Sequence, residues 1–515
     1  TNLNNFRETE DFRAAISYIQ TEPGVDPERI GVWGSSNGAS VVLMVAALDA
    51  RVKAVVAQVG GAGGLGASGP VAIPPQMLED GVKRARTGQG AEVDGGFSFR
   101  SKIDLWSSQI NREFRPAALL DHIPETTKIL WIPAEKDELI PPRGVIAASK
   151  AFNGTSQVIE APYITHFQIY SFAGFEVSSN LAADWFLKYL AMNGVVAPAG
   201  SMSMRAGSQT HGPAPQRQAM AMTSPLPDGV AAKDVRFYSE GIQCYGKIFT
   251  PKGFSAQSKA PAVALAPDWG ETAASIEKYA AHFAARGLVA MVIDYRGWGK
   301  SGGFLQTMEQ VKTDDRLRFS QMTARVRIRR KRLIPREQIL DIRNALYYLQ
   351  GEPGVDRARV GVWGAGMAGG HVVVIAATDA RVKAAVAQTP VIAGKDTPKK
   401  AFAPAGELLL AEQKRARSGY LPVTRASADV EARLALAEYH PFWRVEQIPQ
   451  QTAALFVIAE KDAKVNNETN AAASKLLKGP TGIVSVPGAT HARISNGSAF
   501  DTAANAAVEW FLKHL

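Results

Sequence analysis

Residues 31–40 read GVWGSSNGAS, and residues 361–370 read GVWGAGMAGG. In the first stretch, Gly34-Ser35-Ser36-Asn37-Gly38 fits the pattern G-x-S-x-G. It lies between an apolar run that reads as a strand, RIGVW, and one that reads as a helix, ASVVLMVAAL. Strand, tight turn and helix, in that order, are the context in which this pattern presents a nucleophilic serine. The glycines leave room for the turn, which lifts the Ser36 hydroxyl above the strand end. The start of the following helix would aim the Asn37 backbone N–H at a developing oxyanion. In the second stretch the serine position is Gly366, which supplies no nucleophile.

The two stretches belong to a longer repeat. At an offset of 330, Gln20–Gln58 aligns without gaps to Gln350–Gln388, and 23 of the 39 pairs are identical. KRAR recurs at Lys83 and Lys414, AEKD at Ala134 and Ala459, and WFLK at Trp185 and Trp510. A repeat this long reads as a duplicated domain, since solenoid periods run to about 20–50 residues. Between the copies, residues 197–229 are rich in Pro, Gly, Ser, Gln and Met without periodicity, which reads as a linker and places His211 outside any site. Three units follow: residues 1–196 as one domain, 197–229 as the linker, and 230–515 as a second, complete domain.

In the second copy, VRFYSEGIQCYGKIFTP alternates like an antiparallel hairpin. Continuous apolar runs then alternate with helical spacing, as expected of a mostly parallel sheet covered on both faces. The first copy opens only at the helix EDFRAAISYIQ, and the region of the second copy before its equivalent helix has no counterpart. A half-sheet would expose a long apolar edge. The first domain is therefore expected to lack its N-terminal half, to be supplied by a missing N-terminal segment or by a partner chain that completes it.

A serine nucleophile needs a base, and the base an orienting acid. TKILWIPAEKDELIPP ends an apolar run at Asp137, and SQVIEAPYITHFQ ends the next at His166. Both follow Ser36 in the order acid then histidine, at strand ends on the rim that carries the turn. Glu135 and Glu138 are rival acids. In the second copy the partners persist as Asp462 and His491, which with Gly366 form a vestigial site. His371 should lie on the helix after the turn, away from the nucleophile position.

These features resemble the α/β-hydrolase fold and, within it, the dienelactone-hydrolase-like serine esterases. The resemblance is carried by Gly34–Gly38, AEKDELIPP and ITH in the first copy, and by APDWG, DYRGWGKSGG and WFLKHL in the second. Dienelactone hydrolases proper use a cysteine nucleophile. Here Ser36 holds that position, and the single cysteine, Cys244, falls on the early hairpin. The resemblance implies a serine hydrolase that cleaves a carboxylic ester through an acyl-enzyme on Ser36, with the second domain a non-catalytic partner. A peptidase, a carbon–carbon bond hydrolase and a non-catalytic scaffold are the alternatives. A serine placed at Gly366 is expected to give weak activity at most, through strain in a turn where Ala368 replaces the glycine found at Gly38.

Composition narrows the classes. The 515 residues carry a net charge of +10, and nine basic residues fall without an acidic one in Arg316–Arg336. That run reads as a solvated insertion, since no nucleic-acid motif accompanies it. No apolar run approaches the roughly 18 residues of a membrane span. No metal cluster or cofactor fingerprint is present, and the expected partner is a small-molecule ester. The chain is expected to be soluble, in the cytoplasm or exported. The inserts Pro70–Pro124 and Thr389–Pro441 are expected to cap the sites, with Phe97, Phe99 and Trp106 available to line a pocket. The glycine-rich run from Val59 is expected to be a flexible loop at the mouth of the first site.

Overall fold

Runs such as VKAVVAQ and AALFVIA are apolar on both faces, and both become buried strands. A computed structural model describes residues 4–62, 69–94, 102–104, 107, 110, 112–190, 225–308, 323–397, 399–418 and 430–515. Phe97, Phe99, Trp106, His211, most of the linker, residues 63–68 of the glycine-rich run and residues 316–322 of the basic run lie outside them.

The first half runs α1 (Asn5–Ile19), β1 (Ile30–Ser35), α2 (Asn37–Leu48), β2 (Val52–Gln58), α3 (Pro75–Thr87), a small antiparallel pair β3 (Glu92–Asp94) and β4 (Lys102–Asp104), β5 (Lys128–Ile132), α4 (Pro142–Ala151), β6 (Ser156–Val158) and α5 (Phe172–Leu190). Its main sheet is parallel, in the order β1-β2-β5-β6. The α2 segment from Val41 to Ala47 is wholly buried, because strands flank it below and the loop helix at Pro116–His122 covers it above.

The second half begins with an antiparallel hairpin, β7 (Ala231–Ser239) and β8 (Ile242–Thr250), as its alternation foretold. It continues with β9 (Ala260–Ala266), α6 (Glu277–Ala285), β10 (Val289–Ile293), an antiparallel arm of β11 (Phe304–Thr307) and β12 (Val326–Arg329), α7 (Pro335–Gln350), β13 (Val355–Ala365), α8 (Met367–Thr378), β14 (Val382–Gln388), α9 (Gly406–Ser418), α10 (Val430–Ala437), β15 (Ala453–Ala459), α11 (Asn467–Leu476), β16 (Thr481–Val486) and α12 (Gly497–His514). The sheet order is β16-β15-β14-β13-β9-β10-β8-β7. Strands from β10 to β16 run parallel, and the hairpin closes the far edge.

The first sheet repeats half of this pattern. β1-β2-β5-β6 matches β13-β14-β15-β16, down to a register slip at Ile30/Gly31 and again at Val360/Gly361. Strand β13 has β9 on its other side, whereas β1 is an edge strand among the described residues. The equivalent tryptophans record the difference. Trp363 is fully buried against Tyr279 of α6, with ring centroids 4.6 Å apart, while Trp33 is 42% exposed.

The inserts do not simply cap their own sites. Helix α3 packs on α7 and β7 of the other half, and α9 packs on α1. The exchange is reciprocal because α1 and α7 are equivalent helices with equivalent apolar faces to cover. A β-carbon on Gly81 of α3 would run into the Tyr347 ring of α7, so the glycine sets how closely these helices approach. Paired ions follow the same twofold pattern. Arg343 of α7 donates to both Glu113 carboxylate oxygens, at 2.7 and 2.6 Å, and Arg13 of α1 donates to Glu438, at 3.0 Å through its first amino group. Behind them, Asp379 binds Arg381 and Arg343, and Asp49 binds Arg51 and lies 3.6 Å from Arg13. Arg343→Ala would leave buried Asp379 and half-buried Glu113 short of a cation. The expected cost is about 3–5 kcal/mol, read as a lower urea midpoint.

Of the basic run, the described arginines are engaged internally. Arg329 and Arg332 both pair with Glu431 at 2.9 Å, and Arg330 donates to the carbonyls of Gly299 and Ser301. No helix among the described residues is long and apolar enough to cross a membrane.

Candidate active site

The turn after β1 holds Ser36 at φ 56° and ψ −120°, a backbone conformation that L-residues rarely adopt. It is held there from two sides. The Ser36 N–H donates to the Gln58 carbonyl of β2 at 2.9 Å, and α2 begins at Asn37. Gly34 is sterically required, since a β-carbon there would meet the Gly38 carbonyl oxygen. Gly38 is not, because a β-carbon there would meet nothing within 4 Å. Only one of the two motif glycines therefore obeys the crowding argument made from the pattern, and Ala368 is tolerated in the equivalent place.

Three side chains predicted from sequence come together at this turn. The Ser36 hydroxyl donates to His166 Nε2 at 2.9 Å, and His166 Nδ1 donates to Asp137 Oδ2 at 2.8 Å. The proton sits on Nδ1 because a carboxylate only accepts, which leaves Nε2 to accept from the serine. Asp137 is buried, and its other oxygen accepts the backbone N–H groups of Leu139 and Ile140 at 2.9 and 2.8 Å. Carboxylate and imidazole are thereby fixed before any substrate arrives. The rival Glu135 is turned elsewhere, to Lys136 and the Tyr163 N–H, and Glu138 is exposed.

Several supporting residues were not foreseen. Asn37 exchanges two side-chain hydrogen bonds with Asn5 of α1, at 2.9 and 3.0 Å, which tie the turn to that helix. Ser35 Oγ donates to the Tyr170 hydroxyl at 2.9 Å and accepts from Gln58 at 3.1 Å. Phe167 and Tyr170 stand edge-on to His166, with ring centroids at 5.1 and 6.4 Å. Gln58 had a signal in the identical Gln388 of the repeat. Tyr170 and Asn5 had none.

The second site keeps the turn. Gly366 has φ 55° and ψ −117°, and its N–H donates to the Gln388 carbonyl at 2.9 Å. The backbone thus repeats that of Ser36, so the turn keeps its shape with Ala368 in place of a glycine. His491 Nδ1 donates to Asp462 Oδ2 at 2.9 Å. His371 lies buried on α8 between Tyr439 and Gln338, away from the turn as expected. Cys244 is buried in β8. Among the described residues, no group of three or more His, Cys, Asp or Glu side chains is placed to hold a metal ion.

The acetyl xylan esterase (AXE1) family model matches residues 218–395, and the prolyl oligopeptidase family model matches residues 2–63. Thiohydrolase apmlB of Arthrinium phaeospermum is 49% identical over 57 residues, which cover 11% of this chain and 19% of that protein's length. The Quorum-quenching protein AidA of Acinetobacter baumannii is 24% identical over 276 residues, 46% of this chain and 81% of its own. An uncharacterized 31.7 kDa protein of Escherichia coli is 26% identical over 268 residues, 46% of this chain and 85% of its own. The chain has the mostly parallel, helix-flanked sheet of the α/β-hydrolase fold, and over residues 218–395 it is similar to the acetyl xylan esterases.

Proposed function

We propose that the chain is a tandem duplication in which residues 1–196 cleave a carboxylic ester and residues 230–515 form a non-catalytic partner. The observation that carries this reading is the continuous hydrogen-bonded line from Ser36 through His166 to Asp137. Ser36 Oγ attacks the ester carbonyl while His166 Nε2 takes its proton. The imidazolium returns that proton to the leaving alcohol, and Asp137 holds the ring and balances its charge. Water then repeats the sequence on the acyl-enzyme. The Asn37 N–H is one donor to the oxyanion, as the first backbone N–H of α2.

The second oxyanion donor comes from the open side of β1. In the other half the strand beside the equivalent β13 is β9, and the turn after it presents the Trp269 N–H. A strand and helix like β9 and α6, from a preceding segment or from a partner chain, would cover Trp33 and complete the first site.

Phe167 and Tyr170, both about half exposed beside His166, favour an acyl chain over a bare acetyl group. A p-nitrophenyl ester series from acetate to hexanoate should show kcat/KM rising about twofold per methylene, half of what full burial would give. A matched thioester series tests whether the thiohydrolase likeness extends to substrate. Replacing both Asp462 and His491 by alanine should leave turnover within a few-fold of wild type. A large loss would assign the activity to the second site.

A further inference from the structure

Asp268, in the turn after β9, occupies the second site. Its Oδ1 accepts the N–H of Met367, the first residue of α8, at 2.7 Å, and that of Trp269 at 2.6 Å. Its Oδ2 lies 3.4 Å from His491 Nε2, the nitrogen equivalent to the one that receives the Ser36 hydroxyl in the first site. A β-carbon on Gly366 would fall inside the Asp268 carboxylate. One carboxylate oxygen thus stands in the oxyanion position, and the other stands in place of a serine oxygen.

We propose that Asp268 is a resident ligand of the second site, and that Asp268 and Gly366 together hold a hydrolytic centre closed. The missing serine is only half of the lesion. An ester carbonyl cannot reach the two backbone donors while the carboxylate fills them, and a serine side chain at 366 has no space beside it. The charges agree. Burial disfavours the charged form of His491, yet hydrogen bonds to Asp268 and Asp462 outweigh this and raise its pKa to about 9. At neutral pH its Nε2 therefore carries a proton and cannot act as a base. Glu271 is a further charged group beside Asp268 and His491, and Lys464 in turn acts on Glu271. With Asp268 removed, His491 would keep only its Nδ1 contact with Asp462, the arrangement His166 has with Asp137. A serine at 366 could then pass its proton to Nε2 and attack an ester carbonyl, and the leaving alcohol would take that proton.

The inference rests on reading the first site as a serine hydrolase centre, and a Ser36→Ala background separates the two. Labelling by a fluorophosphonate probe that persists in Ser36→Ala alone counts against the first site. In that background, Gly366→Ser is expected to remain unlabelled at residue 366. Adding Asp268→Ala should give labelling at 366 and p-nitrophenyl acetate turnover about a hundredfold above the Gly366→Ser protein, the scale on which oxyanion donors act. The proposal is overturned if Gly366→Ser alone labels as fast as the combined variant. It is also overturned if the combined variant stays inert while its circular dichroism and melting match wild type. Should that variant misfold, Asp268→Asn with Gly366 retained decides. Its His491 ring, followed by NMR, should titrate about 1–3 units below wild type, because one carboxylate partner is gone. An unchanged titration overturns the proposal.

Discussion

Ser36→Ala is expected to abolish fluorophosphonate labelling and to lower ester turnover by about a million-fold, the scale seen when a nucleophile that acts as a unit with its base is removed. The structure gives two reasons for so large a loss. Ser36 sits in a backbone conformation that the fold maintains by pinning its N–H to Gln58 and starting α2 at the next residue. No other hydroxyl among the described hydrogen bonds reaches His166 Nε2. Labelling that survives the substitution, mapped to another residue, would remove Ser36 from the mechanism. The fold should persist, since Ser36 makes no side-chain cap to α2.

His166→Ala should approach the Ser36→Ala level, and Asp137→Asn should lose about ten-thousand-fold, because an amide at 137 would hold the wrong imidazole tautomer. Asparagine offers His166 Nδ1 a donor or a weaker acceptor, whereas the carboxylate accepts from Nδ1 at 2.8 Å. The hydrogen bonds from Leu139 and Ile140 go to the other oxygen, so the loop should keep its shape. Full activity in Asp137→Asn, with a dead Glu135→Gln or Glu138→Gln, would assign the acid to a neighbour.

The residues legible in the sequence are those whose placement is local. The elbow is five consecutive residues between a strand and a helix, and Asp137 and His166 each close an apolar run, so chain order alone brought them to one rim. The second sheet was equally readable, from alternation in its hairpin and continuous apolar runs in its central parallel strands. What escaped was set by distance along the chain. Asp268 reaches Met367 across 99 residues, and Arg13 reaches Glu438 across 425. The repeated DARVK segment was visible as a repeat, but nothing in its spacing said that its aspartate and arginine anchor the contact between the halves. The inserts misled for a related reason, since an amphipathic helix does not announce whose surface it will cover. Gly38 shows the reverse error, in which a motif position looked constrained and the space around it is open.

The reciprocal packing of α3 on α7 and α9 on α1 is the geometry of a twofold dimer written within one polypeptide. Tethering makes that association independent of concentration, as the two partners never dilute apart. It also frees the partners from identity. In an assembly of identical subunits every substitution is present twice, and a lost nucleophile empties both centres at once. Within a single chain one half can exchange serine for glycine and admit a carboxylate into its own oxyanion hole, while the other keeps its serine and both go on sharing the contact.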